Sequence, residues 1–226
     1  MEQRTEEWHR SRLGYVTASR FKDVMREPRS KSAVLAQSAI SYQRELRSDH
    51  LSGKPRPELT TKAIQHGHEY EPAGRDRYEQ ITGASVALVG FLTLPGETMI
   101  GGSPDGLVGE DGLIEIKCPQ NRDVMEKYRD GEFADTSSPN HNHVPQMQGL
   151  LWITGRKWCD FIAYHPDYGP QFDIAIHRVH RDDEYIERLA KKVIAFRDLL
   201  KQSILEVCQR VHSRTAAKTA HHSPAA

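Results

Sequence analysis

The sequence holds only three cysteines in 226 residues, Cys118, Cys159 and Cys208, and no CxxC pair. That argues against a disulfide framework and against a thiolate zinc site, and it leaves buried free thiols as the expected state. Long apolar runs are also missing. No stretch approaches the roughly 18 residues that a membrane-spanning helix needs, and the opening MEQRTEEWHR lacks the apolar middle of a signal peptide. A cytoplasmic protein with no membrane partner is the expectation. There is no GxSxG, no HExxH and no phosphate-cradling glycine loop, which removes several enzyme classes. An excess of either charge is lacking too, because 31 Lys and Arg balance 31 Asp and Glu. The total therefore gives no hint of a polyanionic partner.

The distribution of charge gives one. Residues 61–120 hold 4 basic and 9 acidic side chains, whereas residues 1–60 hold 12 and 8. An acidic middle between basic ends suits a cation site beside an anion-binding surface. With a mean hydropathy of −0.67 the chain reads as one globular domain over residues 1–212. SRTAAKTAHHSPAA, residues 213–226, reads as a disordered tail. Helices are expected at 33–49, at about 62–82 with Thr60 or Thr61 as the start and Gly83 as the end, at 121–130, from Pro145 to Thr154, and from Asp182 onward. Strands are expected at 85–94, after the turn at 95–98, and at 113–117, 158–165 and 172–179. This order predicts an α/β fold, a mixed central sheet flanked by helices.

Within it several polar residues contradict their faces. In LIEIK, residues 113–117, alternation puts Ile114 and Ile116 on one side and Glu115 and Lys117 on the other. If the strand is central, that pair faces a cleft or a partner; if it is an edge strand, the pair sits in water. On the 62–82 helix, Ile64, Glu71 and Tyr78 recur every seven residues, which turns Glu71 toward the inward stripe. After Pro145, Val144, Gln148 and Leu151 share a face, so Gln148 turns inward as well. With Asp105 these residues would form a polar pocket suited to a hard cation. Mg²⁺ needs only about two carboxylates plus water and phosphate oxygens, which Asp105 and Glu115 would supply, and Lys117 would face the same space. That is the equipment of metal-assisted phosphodiester hydrolysis.

Pro104-Asp105, nine residues, then Glu115-Ile116-Lys117 resembles the PD-(D/E)xK nuclease signature. The wider pattern is more specific: WHRSRLGYVTASRF at 8–21, GHEYEPAGRDRYEQITG at 67–83, SPDGL at 103–107, IEIKCP at 114–119 and VPQMQGLLWITGRKWCDFIAYHP at 144–166. Together these segments resemble, over about residues 8–180, the phage lambda exonuclease family of YqaJ-type viral recombinases. The resemblance implies a restriction-endonuclease-like core and a phage or prophage enzyme working in a bacterial host cell. It implies a processive 5′-to-3′ exonuclease on double-stranded DNA that leaves 3′ overhangs. Mg²⁺, with Mn²⁺ as the alternative, would serve it as two ions per active site. A homotrimer ring and a single-strand annealing protein are the implied partners.

Carried onto this chain, the resemblance gives metal ligation to Asp105, Glu115 and the Ile116 carbonyl, and water positioning to Lys117. Glu71 and Gln148 would support the catalytic site, and Arg12, Ser19 and Ser103 would hold the 5′-phosphate. Two other readings stay open: an endonuclease of the same superfamily, which would cut closed circles, and a non-catalytic module that binds DNA ends. The histidines at 141, 143, 221 and 222 are expected on loop surface and in the tail rather than on a metal. Trp8, Trp152 and Trp158 are expected to pack a core or an interface.

Overall fold

Two caps mark the longest internal helix as the sequence suggests, and the rest of the fold is arranged around the strand that this helix covers. The computed structural model describes residues 2–30, 32–56, 60–135 and 142–220, with side chains up to residue 213. In chain order the described residues form α1 (Glu6–Ser11), β1 (Val16–Thr17), α2 (Phe21–Met25), α3 (Gln37–Ser52), α4 (Lys62–Thr82), β2 (Val86–Ala87), β3 (Leu92–Thr93) and β4 (Ile100–Gly102). They continue with β5 (Gly106–Val108), β6 (Gly112–Lys117), α5 (Arg122–Arg129), α6 (Val144–Thr154), β7 (Trp158–Tyr164), β8 (Ile174–His180) and α7 (Asp183–Ala220). The mixed α/β class expected from the sequence is the class observed.

A five-stranded sheet runs β2-β5-β6-β7-β8, and a three-stranded one runs β1-β4-β3. In the larger sheet β6 is parallel to β7, and every other pair is antiparallel. Parallel neighbours need a long crossover, and here it carries α5 and α6. α4 packs on the opposite face, against β6, β7 and β8. Thr61 Oγ1 accepts the Ile64 N–H at 3.2 Å at the start of α4, and Gly83, at φ +68°, closes its end. The helix can lie close to the sheet because residue 74 is glycine. A Cβ there would stand 3.0 Å from Tyr164 Cβ and 3.3 Å from Ile116 Cγ2.

The larger core lies on the α5, α6 and α7 side, with Leu113, Met125, Met147, Phe161 and Phe196 fully buried. A smaller cluster of Tyr78, Ile114, Ile116 and Ile162 lies under α4. Three expectations change. Residues 85–94 do not make one strand, because β2 joins the larger sheet and β3 the smaller; alternation reports a pleated, half-buried surface but not which sheet it joins. α3 begins at Gln37 rather than 33, with Val34 left 80% exposed. The closing helix continues beyond 212 to Ala220, as the alanines in that stretch favour, and residues 221–226 lie outside the described residues.

Candidate active site

β6 sits between β5 and β7, so its charged residues are not on an open edge. Glu115 is 1% exposed, on the face shared with Leu113 and Phe161. Lys117, two residues on, ion-pairs with Glu115 Oε1. The same oxygen accepts the Gln146 Nε2–H at 2.6 Å from α6. Glu115 Oε2 is buried and has no hydrogen-bond partner among the described residues. Such an orphan acceptor costs on the order of 1–3 kcal/mol unless a ligand completes it.

Asp105 reaches the same place from the turn before β5. Its N–H donates to the Ile114 carbonyl at 3.2 Å, and its Oδ2 accepts the Ile116 N–H at 2.6 Å. The turn is thereby fixed to β6, and the distance between the two carboxylates is set by backbone rather than by flexible side chains. Burial first, then the charges of Glu115 and Glu71, raise the Asp105 carboxyl well above the usual range. Burial also raises Glu115, against the pull of Lys117. For Lys117, burial works against the charge, but the Glu115 and Asp105 carboxylates outweigh it and hold the ammonium above the ordinary lysine value.

These groups adjoin an open cavity of about 400 Å³, lined by Arg12, Ser19, Glu71, Ser103, Asp105 and Lys117 among others. The Arg12 guanidinium lies 4.2 Å from the centre of the Trp8 ring. Trp8 Nε1–H donates to Ser103 Oγ at 2.9 Å, which leaves the serine hydroxyl proton free to donate onward. Ser19 Oγ is 3.3 Å from Thr17 Oγ1. The structure therefore gathers Arg12, Ser19, Glu71, Ser103, Asp105, Ile116 and Lys117 around one space, with Glu115 buried behind Lys117.

It does not bring Gln148 there. The Gln148 Nε2–H donates to the His180 carbonyl at 2.8 Å, and its Oε1 accepts the Asp182 N–H at 3.0 Å, so this side chain ties α6 to the end of β8. The glutamine at Glu115 is Gln146. Residues two apart on a helix lie about 200° apart, so only one of the pair can face the carboxylates. Nor is His143 on a loop surface: it is buried, with Nε2 2.8 Å from the Tyr128 hydroxyl. His141, His221 and His222 lie outside the described residues. The sequence reading also missed Gln3 and Arg4. Gln3 Nε2 donates to the carbonyls of Val89 and Pro104 at 3.0 and 2.8 Å, and Arg4 ion-pairs with Glu71 across the cavity.

Among the described residues no group of three or more His, Cys, Asp or Glu side chains is arranged to enclose a metal ion. Two carboxylates with one oxygen left unpaired fit a different case, a cation such as Mg²⁺ that keeps waters and takes its remaining oxygens from phosphate. Cys118 also lines the cavity, but burial pushes its thiol up to about 12, so it is not a thiolate ligand near neutral pH.

Residues 7–157, more than half of the chain, match the YqaJ-like viral recombinase domain. The chain belongs to the YqaJ-like viral recombinase family. Its match spans the Arg12, Ser19, Asp105 and Glu115 segments and both glutamines of α6. Among solved structures it is similar to the alkaline exonuclease of Laribacter hongkongensis, with a TM-score of 0.79 and 38% identity over 95% of this chain and 100% of that one. The same exonuclease in complex with dAMP matches at a TM-score of 0.78 and 39% identity, over the same shares of the two chains. A phage-related exonuclease of Haemophilus somnus shares the fold, with a TM-score of 0.71 and 20% identity over 85% of this chain and 96% of that one. Among curated proteins an uncharacterised protein of Acanthamoeba polyphaga mimivirus is 26% identical over 71% of this chain, which spans 29% of that relative's length.

Proposed function

We propose that this family member is a divalent-cation-dependent DNA exonuclease that hydrolyses the 5′-ended strand from a duplex end and leaves a 3′ overhang. The observation that carries this reading is a buried Glu115 oxygen with no partner among the described residues, paired through its other oxygen to Lys117, which with Asp105, Arg12, Ser19 and Ser103 lines the cavity. Full-length similarity to an alkaline exonuclease supports the reaction class.

Asp105, Glu115 and the Ile116 carbonyl would hold Mg²⁺, or Mn²⁺ in its place. When bound, the ion supplies Lewis-acid polarisation of a phosphoryl oxygen and an acidified water. Lys117 remains an ammonium under its two carboxylates, so it does not take the water's proton. It orients the water and meets the negative charge that grows on the phosphate oxygens. Gln146 holds Glu115 Oε1 and so keeps Oε2 turned to the ligand role. Arg12, braced on Trp8, and the hydroxyls of Ser19 and Ser103 would grip a terminal 5′-phosphate. A phosphate grip at that place selects the strand whose 5′ end reaches the carboxylates. The family resemblance supports a ring of three copies around the duplex and an annealing protein as the recipient of the overhang.

The deciding experiment digests end-labelled linear duplex with Mg²⁺ beside closed circular plasmid, with 5′-phosphate and 5′-hydroxyl ends in separate arms. Mononucleotides released from the 5′-phosphorylated strand, with the circle intact, are expected. A nicked circle would instead establish an endonuclease, and binding without hydrolysis would establish an end-binding module.

A further inference from the structure

Glu71 is the third carboxylate of the cavity, and its charge bears on Asp105. It is not left open. Its Oε2 is taken by the Arg4 guanidinium, with the two side chains 35% and 18% exposed for Arg4 and Glu71 respectively. The segment carrying Arg4 is built for this contact. Gln3 clamps the carbonyls of Val89 and Pro104, the latter in the residue immediately before Asp105. Thr5 Oγ1 accepts the Trp8 N–H at 3.2 Å and caps α1 on the other side. Between these anchors Arg4 adopts φ +67°, a left-handed backbone uncommon for residues other than glycine, asparagine and aspartate. The anchors on either side hold this strained backbone in place and aim the Arg4 side chain at Glu71.

Asp105, Glu115 and Glu71 face Lys117, Arg4 and Arg12, so these charges cancel when all are ionised. A second divalent cation beside Glu71 would have to displace the Arg4 guanidinium or sit against it.

We infer that Arg4 is a positioning residue whose guanidinium fills the place a second divalent cation would take beside Glu71, so that each chain loads one ion in place of the two that the family resemblance implies. The inference rests on the metal-nuclease reading above and deepens it. In this arrangement the fixed cation on Glu71 supplies positive charge to the substrate side without requiring a second metal.

Isothermal titration of the full chain with Mn²⁺ in the absence of DNA tests it, with electron paramagnetic resonance counting free and bound Mn²⁺ in the same samples. Wild type is expected to bind one ion per chain, Arg4→Ala two, and the double variant Arg4→Ala, Glu71→Gln one. Arg4→Lys, which keeps a cation at the strap, is expected to remain at one. Two ions in wild type, or one in Arg4→Ala, would overturn the inference while leaving the nuclease reading intact. No Mn²⁺ bound by wild type would overturn both. If Arg4→Ala loses its thermal transition, Arg4→Gln, which keeps the length and polarity of the side chain, takes its place with the same expected second ion.

Discussion

Two buried carboxylates lie on neighbouring strands of one sheet, and they are treated in opposite ways. Asp160, on β7, is 2% exposed and fully satisfied. Its Oδ1 accepts from Arg178 Nε at 2.8 Å, and its Oδ2 accepts from Arg178 Nη2 and from the Tyr78 hydroxyl, each at 2.8 Å. Arg178 in turn lies 3.7 Å above the centre of the Trp158 ring. Glu115, on β6, is equally buried, but its two donors crowd one oxygen and leave the other empty. Register explains why they differ in surroundings: Asp160 pairs with Ile114 on the α4 face, and Glu115 pairs with Phe161 on the α5 and α6 face. In Asp160 both oxygens are hydrogen-bonded, as buried polar groups usually are. Glu115 Oε2 has no such partner among the described residues, which is what the proposed ligand role requires.

The largest predicted effects break this comparison in two. Glu115→Gln should lower the rate of DNA hydrolysis by at least about 10³-fold, roughly 4 kcal/mol of transition-state stabilisation, with the melting temperature no lower than wild type. Asp160→Ala should do the reverse. It leaves the Tyr78 hydroxyl buried without its acceptor, whereas Arg178, about half exposed, can rehydrate. The expected loss is therefore about 2–3 kcal/mol, below the usual range for breaking a fully buried pair. At about 2–4 °C per kcal/mol for a chain of this size, the melting temperature falls by roughly 4–12 °C. Thermal denaturation beside a single-turnover assay checks both variants. A thermal loss in Glu115→Gln as large as that in Asp160→Ala would erase the distinction between the two carboxylates.

The sequence made the elements legible where residue chemistry marks a boundary or a face. The threonine pair Thr60 and Thr61 and the left-handed Gly83 mark the ends of α4, and of the two threonines it is Thr61 that caps it. Alternation in LIEIK, together with the spacing from Asp105, located the acidic pair and the lysine. Whether Glu115 faced water was not legible, since that depends on β6 having neighbours on both sides. Gln146 and Gln148 were confused for a similar reason. α6 buries Pro145, Met147, Leu150, Leu151 and Ile153, so its apolar pattern points in every direction and selects no polar face. Arg4 was invisible because it sits in an irregular segment with no period to read, and its role depends on contact with a residue 67 positions away. Strands of two or three residues, such as β1 and β5, are shorter than any alternation can mark.

The smallest prediction sharpens the comparison from the site's other carboxylate. Asp105 is held with its pKa raised by burial and by Glu115 and Glu71, so without a cation its ionised form opposes folding. A group with a raised folded pKa binds more protons in the folded than in the unfolded chain. Stability therefore falls as pH rises from the ordinary carboxylate value, about 3.9, to the raised folded one, and stays reduced above it. Asp105→Asn removes that charge while its side-chain oxygen can still accept the Ile116 N–H. In chelator at neutral pH the variant should melt about 2–4 °C above wild type, roughly 1 kcal/mol, and its stability should fall less steeply over the same pH window. Added Mg²⁺ or Mn²⁺ should narrow or reverse the gap, because the ion stabilises only the chain that keeps both carboxylates. A variant less stable than wild type in chelator would mean that Asp105, like Asp160, is retained for the fold, and the contrast between satisfied and open carboxylates would then rest on Glu115 alone.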